Sequence, residues 1–354
     1  MSGYTAIKAD HIFSAFTDFT AKRYLLLKDG IIENISDSLP VHQGMRHLDF
    51  TGFVVSPFFC DYHLHFSHDA LASSGGIAET LLQYGIKRVY EGGDSDLSGI
   101  EMKNLLRESL DIRTSGYALY RQGTYGRYIG KGVDGFNGAR DLMDQLYKKR
   151  VDYIKLINSG LFRPETGGIT AGGFEKKDVA EIVKYAKDKG LDVICHANGD
   201  KAVREAVCAG VSAIVHGLYV SEETLSMMYE KRVSFIPTVN AFASLSMKNI
   251  DGEAKANIES AVEGHLLAIS KAADIGLKVL PGSDSGPRFL PYGKSFLDEL
   301  VFFKKAGLSE DCILASAAAE TLKKGMQADF LVMKGMEIEK LFVYGTCIKG
   351  CSLS

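Results

Sequence analysis

Proline is scarce, at seven in 354 residues, and blocks of one charge sign are missing. The formal net charge is -3 and no lysine- or arginine-rich run occurs, which argues against a nucleic-acid or anionic-membrane partner. No apolar stretch reaches the roughly 18 residues that a membrane helix needs, so no membrane span is expected. Met1 to Asp10 shows no basic segment leading into an apolar core. No signal peptide is therefore expected, and the expected location is cytoplasmic. The six cysteines, Cys60, Cys195, Cys208, Cys312, Cys347 and Cys351, are scattered without zinc-finger spacing. They read as reduced thiols rather than a disulfide framework, the close pair Cys347 and Cys351 included. Internal repeats and low-complexity tracts are also lacking.

Glycine, by contrast, is plentiful, with 37 residues that often stand just after an apolar run. With 46% hydrophobic and 24% charged residues, the composition is that of an ordinary globular protein. The length suits one large barrel or two modest domains. Residues 1 to about 55 hold short β-type runs at Tyr4–Ile7, Tyr24–Leu27 and Ile31–Ile35, with an Asp29-Gly30 hairpin signal between the last two. After these, strand-length apolar runs alternate with stretches of helical period. Strands are expected at Phe53–Leu64, Ile86–Tyr90, Gly116–Tyr120, Tyr153–Ile157, Asp192–Cys195, Ala213–Val215, Val233–Pro237 and Lys278–Leu280. Helices are expected at Leu97–Ile112, Arg140–Lys149, Lys176–Lys189, Lys201–Ala209, Glu222–Glu230, Ala254–Ile275 and Phe296–Ala306. Gly190, Gly210 and Gly276 stand where such helices would stop. This alternation is the pattern of an α/β fold, specifically a (β/α)8 TIM barrel. A doubly wound open sheet is the competitor, but no Gly-x-Gly-x-x-Gly opens a helix. The last runs, Gln327–Met333 and Leu341–Tyr344, return to short strands and are expected to complete the first sheet.

In such barrels, catalytic groups gather at the carboxyl ends of the strands. His63 and His65 close the first strand, and alternation puts both imidazoles on one face. Taken alone, His-x-His also describes two surface histidines. Lys155 stands inside the apolar run Tyr153–Ile157, where an ammonium is costly. Desolvation would lower its pKa and leave a nucleophilic amine able to add carbon dioxide as a carbamate. A lysine snorkelling to the barrel rim is the alternative. His196 and His216 each end a further apolar run, and either alone would read as a core histidine. Asp284, in Gly282-Ser283-Asp284-Ser285-Gly286, would by itself read as a turn cap. Together, five strands place ligand-type residues at one end.

This set resembles that of the amidohydrolase superfamily, with His63-x-His65, Lys155, His196, His216 and Asp284 at its six metal positions. The early Lys28–Ile32 hairpin and the late Gly325–Val332 stretch are similar too. The resemblance implies a small β-sandwich domain from residues 1–55 plus 326–354, and a metal-dependent hydrolase barrel over 56–325. It also implies two divalent ions, zinc by ligand type: His63, His65 and Asp284 on the more buried one, His196 and His216 on the more exposed one, and a carboxylated Lys155 bridging them. A shared hydroxide would be the nucleophile, with Asp284 as general base and then acid. Two departures stand out. Ser56-Pro57-Phe58-Phe59-Cys60 lacks the family's usual glycine, and Ala315–Gly325 is short.

Within the superfamily, Lys155 points to a two-metal hydrolase of a C–N bond, amide, lactam or peptide-like, in a small molecule. The surroundings of Lys155 most resemble the prolidase-like and imidazolonepropionase-related branches, so a dipeptidase is possible. Substrates of the prolidase-like branch carry a carboxylate, for which Arg121, Arg163 and Arg288 are the candidate cations. Tyr125, Tyr128, Asn198 and Tyr219 are further candidate substrate contacts in the loops. The alternatives are a deaminase of an amino-heterocycle and a non-catalytic barrel relative, the latter disfavoured because no ligand is missing. A homo-oligomer is a family-level expectation.

Overall fold

Eighteen strands succeed one another among the described residues. They are β1 (Tyr4–Ile12), β2 (Lys22–Lys28), β3 (Ile31–Ser36), β4 (Arg46–Ser56), β5 (Phe59–Leu64), β6 (Ile86–Glu91), β7 (Asp111–Thr114), β8 (Ala118–Arg121), β9 (Gly130–Val133), β10 (Tyr153–Ile157), β11 (Phe162–Arg163), β12 (Gly168–Ile169), β13 (Asp192–Ala197), β14 (Ala213–His216), β15 (Ser234–Ile236), β16 (Phe330–Lys334), β17 (Glu337–Val343) and β18 (Thr346–Lys349). This computed structural model describes residues 3–13, 22–66, 70–247, 250–287, 289–335, 337–343 and 346–349. Arg288, Tyr344 and Cys351 therefore lie outside the described residues. The chain divides into two units, one of Met1–Cys60, Glu79–Arg88 and Ser309–Ser354, the other of Asp61–Ala78 and Val89–Leu308.

In the first unit, Lys28 pairs with Ile31 across Asp29 and Gly30, whose φ angles of 50° and 79° are both positive. That is the two-residue hairpin turn read from Asp-Gly. The strands hydrogen-bond into one seven-stranded sheet, in the order β18-β17-β16-β4-β1-β2-β3. Where the sequence reading expects a sandwich, hydrogen bonding gives this single sheet. Side chains from its N- and C-terminal strands meet in one core that includes Ile7, Leu25, Ile32, Phe330 and Phe342. The apolar run Phe53–Leu64 is not one strand, because Pro57 has no N–H to continue a ladder and the chain breaks between β4 and β5. The short segment after Ala315 still follows a helix, Glu310–Ala317, and Ala319 N–H bonds the Phe58 carbonyl at 2.8 Å.

In the second unit, β15-β14-β13-β10-β8-β9 form a six-stranded sheet whose pairings are all parallel. Strands β5-β6-β7 form a second, three-stranded sheet. Lys278–Leu280, expected as a strand, makes only a bridge from Val279 to Phe235. The chain beyond it runs alongside β5: Tyr62 N–H bonds the Pro281 carbonyl at 2.9 Å, Asp284 N–H the His63 carbonyl at 2.7 Å, and His65 N–H the Ser285 carbonyl at 2.7 Å. On the other seam, Asp152 N–H bonds the Thr114 carbonyl at 2.9 Å.

Amphipathic helices Gly135–Lys148, Lys176–Asp188, Asp200–Ala209, Glu222–Glu230, Gly252–Asp274 and Lys294–Lys305 lie close to their expected positions. Their buried residues follow the helical period, as Val179, Ile182, Val183 and Ala186 do. The helix expected at Leu97–Ile112 is shorter, Ser98–Leu105, because Asp111–Thr114 alternates half-buried and buried residues as a strand does. No described helix is long and apolar enough to cross a membrane.

Candidate metal centre

His63 and His196 lie one residue before the ends of β5 and β13, His216 ends β14, and Lys155 stands in the middle of β10. On β10, Tyr153 belongs to an apolar cluster with Ile194 of β13. Two residues on, and so on the same faces, come Lys155 and His196. Strand alternation thus carries a buried apolar layer into a polar one. His63, Lys155, His196 and His216 are all buried. Asp284 Oδ1 lies 3.4 Å from His63 Nε2 and 3.6 Å from His65 Nε2. Lys155 Nζ is 3.5 Å from His63 Nε2. The rings of His63 and His216 are 5.7 Å apart, centroid to centroid, and those of His196 and His216 are 4.6 Å apart.

Backbone and hydroxyl groups orient three of these imidazoles. His65 Nδ1 lies 2.9 Å from the Gly93 carbonyl, which can only accept, so Nδ1 carries the proton and Nε2 keeps its lone pair facing Asp284. By the same reasoning, His196 donates from Nε2 to the Gly160 carbonyl at 3.1 Å and keeps Nδ1 free. Thr238 Oγ1 donates to the Pro237 carbonyl and accepts from His216 Nδ1 at 2.6 Å, leaving His216 Nε2 free. Glycines supply the room. A Cβ on Gly92 would come within 2.4 Å of His63 Cε1 and 2.8 Å of His65 Cε1. His216, Thr238 and Asp284 hold left-handed φ angles of 69°, 51° and 52°, non-glycine strain gathered at one site.

Burial dominates the electrostatics. It lowers His65 to about 4 and His196 to about 3, and drives His63 and His216 well below the ordinary imidazole range, with the Lys155 charge adding to each. All four are therefore neutral near pH 7, the form that binds metals. Burial also lowers Lys155 to about 8 and raises Asp284 to about 7. The ligand atoms of His63, His65 and Asp284 lie within 4.8 Å of one another, a group able to hold a metal ion. Their nitrogen and oxygen donors suit a borderline divalent ion.

These residues line a cavity of about 180 Å³ together with Tyr125, Asn198 and a largely apolar wall. The Tyr125 ring is 5.5 Å from that of His196. Arg121 and Arg163 do not line the cavity: Arg121 faces Glu175 at 3.7 Å, and Arg163 is largely exposed beside Glu165. Tyr128 is 73% exposed, and Tyr219 donates to the Gly167 carbonyl at 2.7 Å, away from the cavity lining. The side chains of Asp284 and His65 are 20% and 15% exposed, while Phe242 packs on the His216 ring.

Several contributors escape the sequence reading. Asp61 accepts from His63 N–H at 3.2 Å, from Ser283 N–H at 2.9 Å and from Ser283 Oγ at 2.5 Å, tying the first ligand strand to the Asp284 segment. Glu299 accepts from Val239 N–H at 2.9 Å and Asn240 N–H at 2.8 Å, fixing the segment that carries Thr238. Asp61 sits visibly beside the His-x-His pair, but nothing local to Glu299 signals its role.

The chain belongs to the amidohydrolase family, which matches residues 54–349. A curated relative, ochratoxinase from Aspergillus niger, is 24% identical over 200 residues, or 55% of this chain and 41% of that protein. The match thus spans less than half of the curated relative's length. Among solved structures, a Xaa-Pro dipeptidase with bound methionine superposes with a TM-score of 0.82 at 20% identity, covering 98% of this chain and 100% of that one. A putative prolidase from Bifidobacterium longum gives 0.80 at 22% identity, covering 99% and 96%. The A. niger ochratoxinase structure gives 0.77 at 20%, also covering 99% and 96%.

Proposed function

We propose that the chain is a metal-dependent hydrolase that cleaves a C–N bond, amide, lactam or peptide-like, in a small molecule. The observation that carries this reading is the convergence of His63, His65 and Asp284 on a single point, with Lys155 3.5 Å from His63. Membership of the amidohydrolase family agrees with it, as does the likeness to proteins described as dipeptidase, prolidase and ochratoxinase. The fold reading that goes with it is a closed (β/α)8 barrel over residues 56–325, with 1–55 plus 326–354 as the small β domain. Supporting closure, the Pro281–Ser285 segment bonds β5 while Lys278–Leu280 bonds β15.

In this reading His63, His65 and Asp284 would hold one divalent ion, His196 and His216 would hold a second, and a carboxylated Lys155 would supply further oxygen donors to them. Lys155, lowered to about 8 by burial, has an appreciable amine fraction near neutral pH. That amine adds carbon dioxide and releases one proton, giving an anionic carbamate with two ligand oxygens. When bound, the ions supply Lewis acidity and a water acidic enough to attack at neutral pH. Asp284 handles the proton. As a carboxylate beside the bound water, it would take a proton from the attacking water and return it to the leaving nitrogen. The carbonyl carbon gains oxygen, the C–N bond breaks, and a carboxylate and an amine leave.

The test is metal analysis of protein prepared without chelator, beside a Lys155→Ala variant. The reading expects close to two ions per chain and a drop in the variant. Fewer than about one ion per chain in the unaltered protein would sink it. A panel of N-acyl amino acids, purines and pyrimidines, scored for ammonia, decides against a deaminase. Ammonia from an amino-heterocycle would reverse the choice.

A further inference from the structure

The cavity has two chemically distinct halves. Its floor is polar, made of the candidate ligands with Tyr125 and Asn198. Its wall is apolar and comes from three separate stretches of chain: Leu161 and Phe162 after β10, Phe242 and Leu245 after β15, and Phe289 and Leu290 after Asp284. The wall begins at the chemistry itself, for the Phe242 ring stands 5.9 Å from the His216 ring at 79°. Phe162 packs edge-on against Phe242 at 6.2 Å and 84°. At the mouth, Leu161 is 42% and Phe289 37% exposed. Three unrelated segments converging on one apolar surface, left partly open to water, mark a surface that a ligand covers. Among the described residues that line the cavity, Lys155 is the sole cation, and it lies on the floor beside His63.

From this we infer that the substrate presents an uncharged apolar group, aryl or branched alkyl, on its acyl side, directly beside the scissile C–N bond. The inference rests on the proposed hydrolase reading of the floor and adds the chemistry of the wall. A ring bonded to the scissile carbonyl would lie against Phe242 while the carbonyl faces the candidate ligands. A charged group on that ring would give up its water against the apolar wall.

Three matched hydroxamates, chelating head groups that differ only beyond the carbonyl, test it by calorimetry on the metal-loaded protein. They are acetohydroxamate, benzohydroxamate and 4-carboxybenzohydroxamate. Benzohydroxamate is expected to bind at least about tenfold more tightly than either of the others, the scale expected for burying one aromatic ring. Phe242→Ala should lower benzohydroxamate affinity more than acetohydroxamate affinity. Phe289→Ala, at the exposed mouth, should do the same in a variant whose folding is not at stake. Equal affinities, or a preference for the carboxylated ring, overturn the inference and leave the hydrolase reading standing. Failure of all three to bind overturns the metal-site reading, and this inference with it.

Discussion

His216 Nδ1 lies 2.6 Å from Thr238 Oγ1, and the threonine hydroxyl donates onward to the Pro237 carbonyl at 2.7 Å. The chain of donors leaves one outcome for His216: its proton is on Nδ1 and its Nε2 lone pair is free. Thr238 keeps this position with a left-handed φ of 51°, and both oxygens of Glu299 hold the two residues after it. Outer partners of this kind typically change metal affinity by about 10- to 100-fold. Thr238→Val, which keeps the shape and removes the hydroxyl, should weaken metal binding on that scale in a chelator-competition titration. Thr238→Ser should restore most of it. Glu299→Gln should weaken binding in the same direction, because its amide would set an N–H donor against a backbone N–H. Unchanged affinity in both Thr238→Val and Glu299→Gln would show that His216 needs no such support.

Gly92 predicts a purely steric effect. Its added Cβ would press on both His63 and His65, at 2.4 Å and 2.8 Å from their Cε1 atoms. In Gly92→Ala the rings must turn, and the His63–His65–Asp284 group loses its geometry. The expected result is a metal content lower by about one ion per chain with the circular dichroism spectrum retained. Normal stoichiometry would mean that the rings can shift without cost.

The parts of the site legible in the sequence are those set by strand period. His63 and His65, Lys155 two residues beyond Tyr153, and His196 two beyond Ile194 all follow from alternation in an apolar run. Helices with a full amphipathic period were legible for the same reason. What was hidden depends on contacts between distant segments. Thr238 and Phe242 lie on or beside Val239–Ala243, a helix too short to show a period and capped by Glu299 some 60 positions away. The arginines illustrate the converse. Loop position made Arg121 and Arg163 candidates, but the chain turns them toward Glu175 and Glu165 instead. Pro57, present all along in the apolar run, was the signal for the break between β4 and β5.

Asp61 links the two halves of the first ligand group through Ser283, with three hydrogen bonds made where neither residue meets solvent. Asp61→Asn preserves size but turns one acceptor into a donor facing Ser283. Leaving such buried partners unsatisfied costs about 1–3 kcal/mol. A lowered urea midpoint of that order is expected, along with weaker metal binding, since Asp284 follows Ser283 directly. Asp61→Asn with unaltered stability would mean that the strand-to-strand bonds around it suffice.

The histidines and Lys155 give the metal-free protein pH signatures of the same sign in different windows. Folding lowers His65 to about 4 and His196 to about 3 from an ordinary 6.5, so between those values the unfolded chain binds more protons. Stability from keeping them neutral is present above pH 6.5 and drains away as the pH falls toward 4. Lys155 is lowered from 10.5 to about 8. Its burial penalty is therefore felt in full below pH 8 and fades as the pH rises toward 10.5. In thermal unfolding of chelator-treated protein, His196→Asn should lose less of its midpoint between pH 7 and pH 5 than the unaltered chain does. Lys155→Met should raise the midpoint at pH 7 and flatten the rise above pH 8. Curves for the three proteins that stay parallel from pH 5 to pH 10 would contradict the buried, neutral state assigned to these groups.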